Sequence, residues 1–132
     1  MINKNLVLLL SLVGLAVSQQ SVAEQWIFVP SKENVCHIQV FYDQDALKNN
    51  QLREKYDYAK AADCDPKIRQ HKTLIVENQL NCQTQQLLEN AKTYYYKNGK
   101  VSKINTHNKS AYSPQGTSAL LMNAACISKL KK

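Results

Sequence analysis

Four cysteines constrain the fold of this 132-residue chain more than any other feature of its sequence. They are Cys36, Cys64, Cys82 and Cys126, and an even number of cysteines in a short exported chain indicates disulfides. Three pairings are possible, and we favour the one in sequence order, Cys36 with Cys64 and Cys82 with Cys126. A zinc site is the competing interpretation, but no C-x-x-C pair is present and the spacings are too wide for a common zinc knuckle. We therefore expect a disulfide-stabilised domain that has neither a metal nor a reactive thiol.

The N-terminus predicts export. Lys4 precedes an apolar run over residues 6–17, and Ser21-Val22-Ala23 supplies the small-x-small pattern that a signal peptidase requires. We predict a signal peptide over residues 1–23 and one mature domain over residues 24–132, with cleavage after Ser18 or an uncleaved anchor as the alternatives. The run is too short to span a bilayer comfortably, and no later segment predicts a membrane span. The expected location is the periplasm, the outer membrane or the cell surface.

Alternation of apolar and polar residues predicts β-strands along most of the mature chain. In the second strand Val40 and Tyr42 share a face, and in the third Leu52, Glu54 and Tyr56 do so. A helix over residues 83–91 is an alternative for part of the fifth strand, because glutamine and leucine are good helix formers. The predicted strands cover residues 26–29, 35–42, 52–58, 73–82, 87–96 and 101–104.

A C-terminal helix is predicted by apolar residues that recur at helical spacing: Leu120, Leu121, Ala124, Ala125 and Ile127. Thr117 or Ser118 is expected to cap its first turn, and the lysines at its end complement the helix dipole. Cys126 lies on the apolar side, where Cys82 could reach it. The predicted fold class is therefore α+β: an antiparallel sheet of about five to six strands with one C-terminal α-helix packed on it, stapled by disulfides.

Residues 94–101, YYYKNGKV, predict a β-hairpin. Asn98-Gly99 is the strongest short-range hairpin signal in the chain, and both residues tolerate the positive φ of a type I′ turn. Because side chains alternate along a strand, Tyr94 and Tyr96 share one face and Tyr95 lies on the other. One of these two sets is expected to line the core and the other the surface.

Positive charge is concentrated in the last third of the chain. Residues 90–132 contain eight lysines and no acidic residue, whereas residues 24–89 contain eight basic and ten acidic residues. Such asymmetry favours polyanionic partners such as heparin-like glycans, and export argues against genomic nucleic acid.

The lysines around the hairpin turn are the candidate partner-binding residues. Lys97, Lys100 and Lys103 are predicted to form a cationic edge, to which Lys92 and Lys109 add, and an outward-facing Tyr95 would supply apolar contact and a hydroxyl group. The alternative is that these lysines only protect an edge strand from aggregation.

Short motifs with a common pattern are spread over nearly the whole mature chain: Trp26, Tyr42-Asp43…Leu47-Lys48, Glu77…Asn81-Cys82, Tyr94-Tyr95-Tyr96…Asn98-Gly99-Lys100-Val101, and Tyr112…Pro114…Thr117…Leu121…Cys126. Together they resemble the surface-adhesin protein E-like family of exported Gram-negative proteins. The resemblance implies an antiparallel sheet with a C-terminal helix pinned by a Cys82–Cys126 disulfide. Some members of that family are outer-membrane adhesins that bind host matrix and plasma proteins and can dimerise.

These observations favour an exported, non-enzymatic binding protein, with host matrix or plasma proteins or anionic glycans as partners and a homodimer as its assembly. Enzymatic function is not expected, because His37, His71 and His107 stand alone and no phosphate loop, nucleophile elbow or H-E-x-x-H motif is present. No cofactor is implied. The alternatives are a periplasmic inhibitor of a host enzyme such as lysozyme, whose own positive charge opposes binding to a cationic chain, and an envelope-associated accessory protein.

Overall fold

The structure, a computed structural model, describes residues 24–30, 36–59, 66–106 and 110–131, with the side chain of Lys67 left out. The predicted signal peptide, Cys64, His107 and Lys109 lie outside these residues. The described chain forms six strands and one long helix, together with short 3₁₀ turns at Asp45–Asn49 and Pro66–Ile68. The strands and helix are β1 (Trp26–Val29), β2 (Gln39–Asp43), β3 (Gln51–Asp57), β4 (His71–Asn81), β5 (Gln86–Tyr96), β6 (Val101–Asn105) and α1 (Gly116–Leu130).

The strands form one antiparallel sheet in which each strand pairs with its neighbour in sequence, in the order β1-β2-β3-β4-β5-β6. The predicted α+β fold, with a C-terminal helix and a stapling disulfide, is confirmed. Residues 86–96 are a strand, so the helical alternative for residues 83–91 is wrong. The reason is tertiary: β5 pairs along its full length with β4, and this pairing overrides local helix propensity. A β-bulge in β5 interrupts that ladder: Glu77 lies opposite Ala91 and Asn78 opposite Glu89, so Asn90 is the extra residue.

The second strand begins later than predicted, at Gln39 rather than Val35. His37 has a φ of 55°, in the left-handed region, which is incompatible with a regular strand. Cys36 and Ile38 are therefore half-buried residues of the preceding loop, although Ile38 still packs against the core.

Side chains from one face of the sheet and from α1 form the hydrophobic core. Leu52, Leu87 and Leu121 have no exposed surface. As predicted, Tyr94 and Tyr96 lie together, with their rings stacked 6.4 Å apart between centroids. The core as a whole contains Val29, Val40, Tyr42, Leu47, Leu52, Leu80, Leu87, Leu121, Met122, Ala125 and Cys126.

Helix α1 differs from its prediction in two respects. It begins at Gly116, and its N-cap is Gln115, with no side-chain capping bond, so neither Thr117 nor Ser118 caps it. The buried stripe consists of Leu121, Met122, Ala125 and Cys126. Leu120 and Ile127 point outward, with 37% and 55% of their surface exposed. The buried face is thus rotated toward Met122 relative to the predicted one, and Cys126 faces the sheet as predicted. No helix among the described residues is long and apolar enough to cross a membrane.

A disulfide fixes α1 to the sheet. Cys82, in the turn after β4, is bonded to Cys126, and their Cα atoms are 5.7 Å apart. The predicted pairing of these two cysteines is confirmed. Cys36 is also disulfide-bonded, and Cys64, its expected partner, lies outside the described residues.

Replacing Cys82 and Cys126 together with alanine should lower the free energy of unfolding by about 4 kcal/mol. The bond closes a loop between cysteines 44 positions apart, and its loss enlarges the entropy of the unfolded chain. Urea unfolding followed by tryptophan fluorescence measures the change, and the double replacement leaves no unpaired thiol. An unfolding midpoint equal to that of the wild type would contradict this role of the disulfide.

Candidate binding surface

The sheet face opposite α1, which we call the open face, carries one continuous row of side chains across all six strands. Strand register places these residues directly beside one another, in the order Phe28, Phe41, Lys55, Ile75, Thr93 and Lys103. Because residues alternate along each strand, the buried Val29, Val40 and Val76 point the other way, toward α1. Phe28 at one end of the row is 50% exposed. The open face therefore presents aromatic, aliphatic and cationic groups side by side.

Trp26 extends this surface from the edge of the sheet toward β3. The Lys55 ammonium lies 5.1 Å from the centroid of the Trp26 ring and 4.8 Å from that of Phe41, and the Arg53 guanidinium lies 5.2 Å from the Trp26 ring. At these distances a cation is attracted to the negative face of an aromatic ring. The result is a cation–aromatic cluster made of residues from three strands.

Arg53 neutralises the acidic groups around this cluster. Its guanidinium lies 3.0 Å from Glu24, 3.0 Å from Asp43 and 3.6 Å from Glu77. Burial lowers the pKa of Arg53, but the hydrogen bonds and charges of these carboxylates outweigh that effect and hold the pKa above its ordinary value. Asp43, which is only 3% exposed, also accepts hydrogen bonds from the backbone N–H groups of Gln25 and Asp45.

The structure divides the predicted partner-binding residues between the turn and the open face. Tyr95 and Lys103 both lie on the open face, and Tyr95 is directly opposite Val101. Lys97 and Lys100 flank Asn98-Gly99 at the exposed tip of the hairpin. Lys103 and Tyr95 thus belong to one surface, which the two tip lysines adjoin.

The hairpin turn is not of type I′. Among the described residues with positive φ, Gly99 is present (φ 88°) and Asn98 is not. The Gly99 N–H donates to the Tyr96 carbonyl at 3.0 Å, and the Tyr96 N–H donates to the Lys100 carbonyl at 2.9 Å. This is the pattern of a type I turn followed by a glycine bulge, which needs a left-handed conformation at one residue rather than two.

Lys92 does not join the predicted cationic edge. Its ammonium lies 3.5 Å from the carboxylate of Glu89, which is itself buried. The register of Lys92 with Val76 places the Lys92 side chain toward α1, on the face opposite Lys103. The bulge in β5 brings Glu89 onto the same face as Lys92. The edge therefore contains Lys97, Lys100 and Lys103 within the described part of the chain.

A buried polar network on the α1 side was not identified from the sequence. Glu54 is 1% exposed, and its carboxylate accepts hydrogen bonds from the Tyr56 hydroxyl at 3.1 Å and the Asn78 amide at 3.0 Å. The Tyr56 hydroxyl lies 3.3 Å from that of Ser118. The network thus joins the sheet to the first turn of α1. The available signal was the charged Glu54 at an inward position of an alternating strand.

Burial raises the pKa of Glu54, because a carboxylate loses hydration in the core and the nearby Glu89 adds negative charge. Hydrogen bonds from Ser118, Asn78 and Tyr56 oppose this shift only in part. Burial likewise raises the pKa of Tyr56, whose hydroxyl therefore stays protonated. The carboxyl group is enclosed by the core, so this network joins structural elements rather than offering a surface to a partner.

Replacing Glu54 with glutamine should flatten the pH dependence of stability. The folded protein binds the Glu54 proton more tightly than the unfolded chain does. The contribution of Glu54 to stability is therefore greatest below the ordinary glutamate pKa and is lost as pH rises through the raised one. Glutamine stays neutral and can accept from Asn78 while donating to Tyr56.

Urea unfolding of the wild type and Glu54→Gln from about pH 4 to about pH 8 measures this difference. The stability of the variant relative to the wild type should increase as pH rises. Glu77→Gln on the open face is the matched control. Parallel stability curves for the wild type and Glu54→Gln would show that Glu54 does not titrate in this way.

No family model, curated protein or solved structure matches this chain. Within the described ranges, no group of three or more histidine, cysteine or acidic side chains could hold a metal ion. Among the surfaces of the described residues, the open face and the adjoining hairpin tip carry the most distinctive combination of side chains.

Proposed function

We propose that this chain is an exported, non-enzymatic binding protein whose partner docks on the open face and the tip of the β5–β6 hairpin. The observation that carries the proposal is the row from Phe28 to Lys103, which crosses all six strands. Export rests on the predicted signal peptide over residues 1–23.

The charges on this surface favour an acidic partner. In the described part of the chain, no carboxylate forms an ion pair with Lys55, Lys97, Lys100 or Lys103. The acidic side chains near Trp26 are already paired with Arg53. The available charge is therefore positive, and it steers and orients an acidic surface.

The apolar groups favour a protein rather than a glycan. Phe28, Tyr95 and Val101 are 50%, 36% and 55% exposed. Aromatic residues are enriched in the cores of protein interfaces, where a few such side chains carry much of the binding energy, and charged groups belong to the polar rim around them. An acidic patch on a host matrix or plasma protein fits this surface, and binding such a protein would make the chain an adhesin. A cationic enzyme such as lysozyme fits it less well.

Replacing Lys97, Lys100 and Lys103 together with glutamine should weaken binding about tenfold, since three exposed charges at roughly 0.5 kcal/mol each amount to about 1.5 kcal/mol. Binding to immobilised matrix proteins, plasma proteins and heparin is measured at about 0.1 M and about 1 M salt, over which the Debye length falls from about 10 Å to about 3 Å. The affinity of the wild type should fall steeply with salt, and that of the variant less so.

A charge-matched control replaces Lys48, Lys129 and Lys131, which lie away from the open face, with glutamine. Quenching of Trp26, the only tryptophan in the chain, reports directly on contact with the open face. Retention that is unchanged by salt and by the hairpin substitutions would reject the proposal. Retention on heparin alone would replace the protein partner with an anionic glycan.

We also propose that the chain forms a homodimer through β1. This edge strand has the sequence WIFV, without a charged residue, and Ile27 and Phe28 are 36% and 50% exposed. The opposite edge, β6, carries Lys103 at its centre, a common protection against strand pairing. An antiparallel pair of β1 strands would place apolar residues opposite one another and continue the sheet into a second copy.

Replacing Phe28 with lysine should convert the dimer to a monomer. The introduced lysines of the two copies would lie opposite or next to each other where the β1 strands pair, and their like charges would repel. Sedimentation at micromolar concentration gives the mass of each species. The control, Ile104→Lys on β6, should leave the dimer intact. A monomer mass for the wild type would exclude the dimer.

A further inference from the structure

A cavity of about 340 Å³ lies at the end of the sheet remote from the β5–β6 hairpin. Six side chains bearing carboxamide groups line it, and they come from the β2–β3 connection and from strands β3, β4 and β5. Among the described residues, no charged side chain contributes to the lining. The carboxamides are those of Asn49, Asn50, Gln51, Gln79, Asn81 and Gln86.

Strand register explains why these groups converge. Gln51 at the start of β3 lies directly opposite Gln79, and Asn81 lies directly opposite Gln86. Asn50 has a φ of 55°, a left-handed conformation that asparagine tolerates better than most residues. Its carbonyl accepts the Leu80 N–H at 2.8 Å, so the β2–β3 connection is fixed against the end of β4. The backbone from which these side chains project is therefore held in place by the sheet.

Most of these carboxamides are available to a ligand. The Asn50 side-chain oxygen accepts from Lys129, and that of Asn81 accepts from the N–H groups of Gln83 and Thr84. No hydrogen bond from another described residue occupies the side-chain amides of Asn49, Gln51, Gln79 or Gln86. Each of these four amides offers both donors and an acceptor.

We infer that this cavity binds a neutral saccharide. A sugar hydroxyl is both a donor and an acceptor, and a carboxamide can satisfy both roles at once. Leu88 and Ala111 supply apolar contact for the C–H faces of a ring. The volume is at the lower end of the range of about 300–1,000 Å³ for small-molecule sites, which suits one or two sugar rings.

The position and lining of the cavity disfavour two other ligand classes. An extended peptide gains affinity by adding a strand to a free sheet edge, whereas β4, at the centre of the lining, pairs with β3 and β5, and β5 is bridged at Leu87 to Tyr112. An anionic ligand would need a cationic side chain in the lining. Gln51 and Gln79 lie four residues along their strands from Lys55 and Ile75, so the saccharide site shares no residue with the row that carries the proposed function, and either proposal can fail without the other.

Two-dimensional ¹H–¹⁵N NMR of the mature protein tests the inference, because side-chain amide groups of asparagine and glutamine give resolved signals. The probes are maltose and N,N′-diacetylchitobiose as neutral saccharides, a heparin disaccharide as an anionic one, and a short glycine–serine peptide. A neutral saccharide should shift the side-chain signals of Gln51 and Gln79 in a saturable manner. The inference would be overturned if neither neutral saccharide shifted these signals, or if only the heparin disaccharide or the peptide shifted them.

Gln51→Ala and Gln79→Ala should each weaken saccharide binding about three- to tenfold, the usual effect of losing one or two hydrogen bonds. Both side chains are exposed, so the variants should fold. Gln70→Ala, an exposed glutamine before the opposite end of β4, is the matched control and should bind like the wild type. Equal affinity for the wild type and the Gln51→Ala/Gln79→Ala double variant would also overturn the site.

Discussion

Burial of one sheet face beneath α1 is the interaction on which the rest of the structure depends. A six-stranded meander has two faces, and a chain of this size can cover only one of them with a single helix. Leu121, Met122 and Ala125 supply the apolar contact, and the Cys82–Cys126 bond holds the helix where that contact is made. The choice of covered face then determines which side chains of every strand remain on the other side, including those of the proposed binding surface.

How much of the structure could be predicted from the sequence depends on which features are local to one strand and which depend on the register between strands. Alternation in a strand is a local property, so the six strands, the opposite orientations of Tyr94 and Tyr95, and the C-terminal helix could all be inferred. The register between strands depends on turns and a bulge, which the alternation does not specify. For that reason the row from Phe28 to Lys103 could not be read from the sequence, although all six of its residues fall in predicted strands.

The errors in the sequence-based expectations have similar causes. Asn98-Gly99 correctly indicated a hairpin, but two turn geometries share that signal, and only the backbone distinguishes them. Lys92 was grouped with the hairpin lysines by its place in the sequence, whereas the bulge in β5 places it beside Glu89. The carboxamide cavity and the Glu54 network each combine residues from several strands, so no short window of sequence contains either of them.

The order of the strands has a consequence for how the chain folds. Every strand pairs with its neighbour in sequence, so the sheet can grow by closing short loops, each at a small cost in entropy. Helix α1 is the exception, because it packs on β2 and β3, which are far from it in sequence. Of the elements described, the helix is also the last to be synthesised. Until it docks, the apolar face of a nearly complete sheet is open to solvent, and oxidation of Cys82 with Cys126 makes that docking permanent in an oxidising compartment. How firmly the helix stays docked is therefore sensitive to the redox state of the compartment in which the chain folds.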